Sequence, residues 1–301
     1  MDRIKSIQTH LTSKDFKQPV NYESIKAKFG TLKNKTILIS GASRGIGLAI
    51  AKRAAIDGAN IVILAKTDTP HPKLPGTIHT AADEIRKLGG KALPIKCDIR
   101  YDNQVKDAVD SAVKHFGGID VLINNASAIK MKSAEDMTMK EYDLIQSINV
   151  RGTFMLSKAC LPHLKNSKNG HIIVCSPPLK LTPEYIGAST GYLISKAQMS
   201  MIVMGLSDEY ENYGIGVNAL WPRTTIATAA VQYELGGDAM MRTSRTEEIQ
   251  ADSAYEIMTA DAKKCTGNLF IDDDVLRAVG VKDFSKYRMK GVSEDQLTII
   301  I

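Results

Sequence analysis

From residue 36 onward, short apolar runs rich in β-branched residues alternate with longer stretches at helical spacing. "TILISG" (36–41) leads into "GIGLAIAKRAAIDGAN". "IVILA" (61–65) is followed by a polar, proline-bearing loop, "KTDTPHPKLPG" (66–76), and the helical "TIHTAADEIRKLGG". Further runs lie in "KALPIKC", "IDVLINNAS", "HIIVCS" (171–176), "GIGVNALWP" (214–222) and "GNLFID" (267–272). One long amphipathic helix is expected over about 138–167, and another surrounds Tyr192. Runs without polar alternation suit strands buried on both faces, and strands separated by helices read as βαβ units. The expected fold class is α/β, three layers around a doubly wound parallel sheet of about seven strands.

Composition limits what such a chain can do. With 301 residues, 44% hydrophobic and 24% charged, it can bury one large core, and no apolar run is long enough for a transmembrane segment. The net charge is +6, yet residues 1–35 hold eight Lys/Arg against three Asp/Glu, a net of +5. The excess therefore sits on a basic N-terminal arm (1–35) ahead of a single domain (36–301), and no nucleic-acid partner is expected. Cys97, Cys160, Cys175 and Cys265 are scattered without a CxxC pair, so reduced, buried thiols are expected. The six histidines show no ligand spacing, so no metal is expected. One arginine and three acids make the arm a poor mitochondrial presequence, and "QLTIII" is no peroxisomal tail. The expected location is intracellular and soluble, with the cytoplasm favoured over mitochondrion or peroxisome.

"ISGASRGIG" places Gly41, Gly45 and Gly47 where the first strand turns into the first helix. Glycine permits a tight turn and a close backbone approach, and a helix N-terminus offers free N–H groups to a pyrophosphate. "SGASRGIG" is similar to the TGxxxGIG fingerprint of the short-chain dehydrogenase/reductase family, with Ser40 for the usual Thr. "NNAS" (124–127) resembles its NNAG segment with Ser127 for Gly, "CDIR" supplies Asp98 after the third strand, and Tyr192 and Lys196 match YxxxK. The features follow the family's order over residues 36 to 275. The resemblance implies a Rossmann fold, a nicotinamide cofactor, a small carbonyl or alcohol substrate and a homo-oligomer, dimer or tetramer. It also implies cofactor contacts from Gly41, Ser43, Arg44, Gly45, Ile46 and Gly47, from Lys66, Asp98, Ile99, Asn125 and Ala126, from Tyr192 and Lys196, and from Pro222 and Thr225, with Thr228 beside them. "KTDTPHPKLPGTIHTAADEI", "NNASAI", "SPPL" and "NALWPRTTIATAA" resemble a branch in which a reductase precedes a sterol-carrier domain, and the likeness covers the reductase part only. That branch suggests a lipid-like, hydroxyacyl or steroid-like substrate.

In "STGYLISKAQ" (189–198), Tyr192 and Lys196 lie one helical turn apart on one face. A tyrosine hydroxyl ordinarily titrates near 10, too high for ready exchange at neutral pH, and a neighbouring ammonium, helped by a cationic nicotinamide, should lower it. The pair would then serve as general acid in reduction and general base in oxidation. The resemblance makes Ser176 the hydrogen-bond donor to the substrate oxygen and Asn149 the residue that steadies a water leading to Lys196. Ser176 to Tyr192 spans sixteen residues, about three more than usual, and Pro177 and Pro178 must end the strand. Ser189 is the rival serine. "NYESIKAK" repeats the tyrosine–lysine spacing at Tyr22 and Lys26 but precedes the first strand, and it reads as the amphipathic face of the arm. Arg223 stands where the family has glycine, after Pro222.

For cofactor choice, Ala65 occupies the end of the second strand, where NAD enzymes of this architecture carry an acid. Lys66 follows it and Arg44 precedes the second glycine of the turn, so NADP(H) is expected. The segment Thr224 to Arg245 reads as a lid. The leading reading is an NADP(H)-dependent oxidoreductase of carbonyls and alcohols. The alternative is a non-catalytic NADP(H)-binding regulatory or scaffold protein.

Overall fold

The computed structural model describes residues 20–72, 74–180 and 182–300. Seven parallel strands form one sheet in the order β3-β2-β1-β4-β5-β6-β7: β1 (Thr36–Ser40), β2 (Asn60–Ala65), β3 (Lys91–Lys96), β4 (Val121–Asn124), β5 (His171–Val174), β6 (Gly216–Trp221) and β7 (Leu269–Ile271). Between them run α1 (Gly45–Ile56), α2 (Ile78–Lys87), α3 (Asp102–Phe116), α4 (Met139–Ile145), α5 (Thr153–Leu164), α6 (Pro183–Gly187) and α7 (Thr190–Glu209). Then come α8 (Ala229–Glu234), α9 (Gly237–Arg242), α10 (Glu248–Met258) and α11 (Asp272–Ala278).

The expected sheet is present, and the pattern that announced it also explains its layers. Ile37 and Ile39 of β1 and Ile61 and Ile63 of β2 pack into one core with α1, α2 and α10. The alternate residues Leu38, Val62 and Leu64 pack into the other with α3, α5 and α7. A two-residue period on strands whose faces are both covered produces an unbroken apolar run. The chain order reverses between β1 and β4, which sets a crevice at the carboxyl ends of those strands. All four cysteines are buried and free. Among the described residues, no helix is long and apolar enough to cross a membrane.

One expectation about the fold needs correction. The segment ahead of β1 is not a loose surface arm from residue 20 onward. Tyr22–Lys26 forms a 3-10 turn, Ile25 and Leu32 belong to the first core, and Asn21 N–H donates to Asn268 Oδ1 at 2.8 Å. Tyr22 is held by Asp274 and by the Ile271 N–H, and its ring meets Phe270 at 5.4 Å. Burial pushes its hydroxyl up to about 12. Residues 1–19 lie outside the described residues. The expected long helix after β4 is present: α4 runs without a break into α5 through a π-helical segment, Gln146–Gly152. Such segments recur at functional sites.

His171, at the start of β5, is fully buried, with Nε2 3.1 Å from the Ala260 carbonyl and no partner for Nδ1. Burial pushes its pKa from near 6.5 down to about 4. The folded value is the lower one, so stability is untouched above pH 6.5, falls as pH drops toward 4 and levels off below. The loss amounts to about 3 kcal/mol, read from denaturation at a series of pH values. His171→Gln should flatten that profile between pH 4 and 6.5, and an unchanged profile would place the acid sensitivity elsewhere.

Candidate active site

The site begins where β1 ends. Gly41 (φ +69°) and Gly45 (φ +56°) take the left-handed region that other residues avoid. A Cβ on Gly47 would lie 2.6 Å from Asn125 Nδ2 and 2.7 Å from the Gly41 carbonyl, so only glycine lets the helix start so close to β4. The Asn125 amide donates to the Ser40 and Gly41 carbonyls at 3.0 and 3.1 Å. The Asn125 and Ala126 N–H groups both donate to Ser40 Oγ at 3.1 Å. Asn125 and Ala126, expected at the cofactor, tie the turn to β4, and Ser40 accepts both of their N–H groups.

α1 opens at Arg44 with no side-chain cap and no acid in its first turn. The free amides at Gly45, Ile46 and Gly47 and the positive end of the helix dipole suit a pyrophosphate. The buried Ser43 packs its carbonyl against Gly76. The Arg44 side chain is not loose: Nε donates to the Pro75 carbonyl at 2.7 Å and Nη2 to the Gly76 carbonyl at 3.0 Å. The 66–76 loop thereby folds over the turn. Lys66 is exposed at the end of β2. Asp98 is gripped by Arg100 through Nε at 2.9 and 3.0 Å and Nη2 at 2.6 Å, which holds its carboxyl below the usual range, with Lys66 a smaller influence. Ile99 is buried and packs against Gly152 of the π-helical segment.

β5 ends beside α7, where the remaining candidate residues meet. Lys196 is 2% exposed, and its Nζ donates to the Cys175 carbonyl at 2.6 Å and lies 4.9 Å above the Trp221 ring. Burial pushes its pKa down to about 8. Its neighbour along the chain from that carbonyl is Ser176, fully buried, whose hydroxyl has no hydrogen-bond partner. Tyr192, one turn before Lys196, packs with Ile145, Leu193, Ile129, Met137, Tyr185 and Ile186. In the protein alone its hydroxyl is shifted upward. Burial pushes the hydroxyl up by desolvating the phenolate, and Tyr185 beside it adds to the rise.

Asn149 lies in the π-helical segment, yet its side chain is fully engaged. Nδ2 donates to the Ala128 carbonyl and to Ser195 Oγ, each at 3.0 Å, and Oδ1 accepts from the Ala128 N–H and from Ser127 Oγ. Ser195 passes the chain on to the Tyr192 carbonyl at 2.7 Å. Asn149 thus fixes the loop after β4 against α7, and any water it steadies is not held by its amide. Ser195 was not singled out from sequence, and Ser127 only as a departure from the family's glycine; a serine three positions after Tyr192 on a buried helix face was the available signal. The rival Ser189 hydroxyl donates to the Lys130 and Lys132 carbonyls at 3.3 and 3.0 Å, leaving Ser176 as the serine with an unmet hydroxyl.

After β6, Pro222 is buried, and Arg223 turns toward α11. It donates from its N–H to Asp272 and from Nε to both Asp273 oxygens, and its Nη2 pairs with Asp274. A cation in the glycine position is therefore absorbed by two acids, Asp273 and Asp274. Thr225 is buried, with N–H, carbonyl and hydroxyl all engaged by Thr298, Arg245 and Ser244. Thr228 instead carries its methyl to within 3.4 Å of where a Cβ on Gly45 would sit. Of the two threonines, Thr228 is the one against the glycine turn.

Comparison with known proteins follows the same outline. The sequence profile of the short chain dehydrogenase family matches residues 35–235. Hydroxysteroid dehydrogenase-like protein 2 of Danio rerio is 52% identical over 261 residues, 87% of this chain, and its Homo sapiens counterpart is 50% identical over 261 residues. The matched part is 62% of the length of each of these relatives. The crystal structure of a short chain dehydrogenase of Mycobacterium thermoresistibile superposes with a TM-score of 0.84 at 48% identity, covering 89% of this chain and 95% of that one.

Gly47→Ala should weaken nicotinamide nucleotide binding at least about tenfold by fluorescence titration, because the methyl must displace Asn125 or the turn itself. Gly118→Ala, where the added methyl meets nothing within 4 Å, is the control and should leave affinity unchanged. Equal affinities in the two variants would remove the turn from the nucleotide site.

Proposed function

Because the chain belongs to the short chain dehydrogenase family, an oxidoreductase family that binds nicotinamide cofactors, we propose that it is an NADP(H)-dependent enzyme interconverting a carbonyl and an alcohol. The observation that carries this reading is the meeting of β5 and α7. The Cys175 carbonyl anchors Lys196, and the next residue presents the buried, unpartnered Ser176 hydroxyl. A buried hydroxyl without a partner is costly, by about 1–3 kcal/mol, unless something else meets it. A substrate oxygen is the group that fits.

The glycine turn and the uncapped start of α1 fit a dinucleotide pyrophosphate. When bound, the nicotinamide supplies or accepts the hydride. The protein's part is the proton. At neutral pH the buried Tyr192 keeps its hydroxyl protonated, the form that reduction needs, and Ser176 holds the substrate oxygen beside it. Lys196, mostly charged below about pH 8, stabilises the phenolate that forms when Tyr192 gives up its proton. The apolar neighbours Ile129, Met137, Tyr185 and Ile186 favour a lipid-like substrate, hydroxyacyl or steroid-like. Exposed Phe154 and Met201 on α5 and α7 suit contact in a homo-oligomer.

NADP(H) is favoured over NAD(H) by the absence of an acid at Ala65 and the presence of Lys66 and Arg44. An acid does follow, Asp68, but its carboxylate pairs with Lys96 at 2.9 Å. Each charge-assisted hydrogen bond to a 2′-phosphate contributes roughly 1.5–3 kcal/mol, so the preference should be on the order of a hundredfold.

Tyr192→Phe should lower the rate about a hundredfold or more while NADPH still binds. Ser176→Ala should lower it roughly tenfold to a hundredfold, and Ser189→Ala much less. Tyr22→Phe should lose about 1 kcal/mol of stability and keep the rate within about twofold. NADPH oxidation against medium-chain ketones, acyl thioesters and steroids reads all of these, and turnover by Tyr192→Phe at the wild-type rate would refute the acid/base assignment. The reductive kcat/KM should fall as pH rises through about 8, where free Lys196 loses its charge, and Lys196→Arg should move that limb upward. Equal wild-type affinities for NADPH and NADH, or an undiminished preference in a Lys66→Ala, Arg44→Ala double variant, would remove the cofactor assignment.

A further inference from the structure

Both roots of the segment between β6 and α10 are fastened to one short stretch of chain, residues 294–300. At the first root, Thr225 N–H donates to the Thr298 carbonyl and Ile300 N–H to the Arg223 carbonyl, each at 2.9 Å. At the second root, Thr298 N–H donates to the Thr243 carbonyl at 2.8 Å, and the hydroxyls of Thr243 and Thr298 meet at 2.7 Å. The roots also bind each other, Arg245 N–H to the Thr225 carbonyl at 3.0 Å and Ala227 N–H to the Arg245 carbonyl at 2.8 Å. Arg245 pins the assembly from inside. It is 1% exposed, pairs with Glu294 and lies 3.5 Å from Asp273.

What lies between the roots is held far less firmly. α8 buries Val231 and α9 buries no residue. Across the cleft, the far end is tied by the Lys130–Glu234 ion pair at 2.6 Å. Segments with so little burial open locally at small cost, so their resting position is set by their roots. The root carries Thr228, next after Ala227, onto the glycine turn at Gly45.

We propose that residues 294–300 are a positioning strap: through Thr298 and the Arg245–Glu294 pair they fix the lid roots, hold Thr228 over the glycine turn and thereby set nucleotide affinity. The inference rests on the nucleotide-binding part of the reading above, and its tests separate the two. Glu294 is half exposed, so Glu294→Gln removes a charge without opening the core, while Thr298→Pro removes the N–H that reaches Thr243. Each variant is expected to raise the NADPH dissociation constant about five- to tenfold and to speed proteolysis within 229–242 by a similar factor, with kcat at saturation within about twofold. Glu294→Asp should restore much of the affinity. In the wild type, hydrogen exchange should show the Thr225 and Thr298 amides protected well above those of α8 and α9. Wild-type affinity and cleavage in both variants would overturn the strap, as would unprotected Thr225 and Thr298 amides, whether or not the variants fold. If wild-type protein bound no NADPH, the nucleotide reading would fail, while proteolysis and exchange would still decide the strap.

Discussion

The Asn125 amide, wedged between the end of β4 and the turn after β1, is the contact on which the site depends. It bonds the Ser40 and Gly41 carbonyls, and it sits where a Cβ on either Gly41 or Gly47 would collide. Without it the two central strands would still pair, but their ends would not be locked at one height. With it, the switch between β1 and β4 becomes a rigid crevice, and β5 can set Cys175 and Ser176 beside the helix that bears Tyr192 and Lys196.

Around that crevice the molecule places polar groups where burial is unfavourable to them. Lys196 is nearly inaccessible and held by a single carbonyl, Ser176 has no partner, and Tyr192 is surrounded by apolar side chains. Each arrangement costs stability, and the two packed faces of the sheet offset it. The same burial favours the protonated tyrosine and brings the lysine within reach of neutral pH.

The departures from the family pattern have local physical accounts. The guanidinium of Arg223, in place of glycine, pairs with Asp273 and Asp274 at the start of α11. The longer stretch between Ser176 and Tyr192 is tied back by Ser200, which donates to the Pro177 carbonyl at 2.6 Å, so its added residues leave the strand end in place. Tyr22, which shares the tyrosine–lysine spacing, is bound to α11 and has no part in the cleft.

The sequence by itself did not determine the helices between β6 and β7, but it did determine the seven strands, the helices that follow β1 to β4, the helix that bears Tyr192, the glycine turn and the Tyr192–Lys196 pair. Each is encoded within a few residues, by a burial period, a turn requirement or a helical step. What the turn does for Asn125, why Ser189 is engaged and Ser176 is not, and how Thr225 becomes part of a clamp were decided only by the tertiary structure. So was the place of residues 20–35, which look like a charged arm because their few apolar residues show no long period. Those outcomes join positions far apart in the chain, Asn149 to Ser195, Thr225 to Thr298, Tyr22 to Asp274. A side chain's type states which hydrogen bonds it can make, and only the fold brings a particular partner within 3 Å of it.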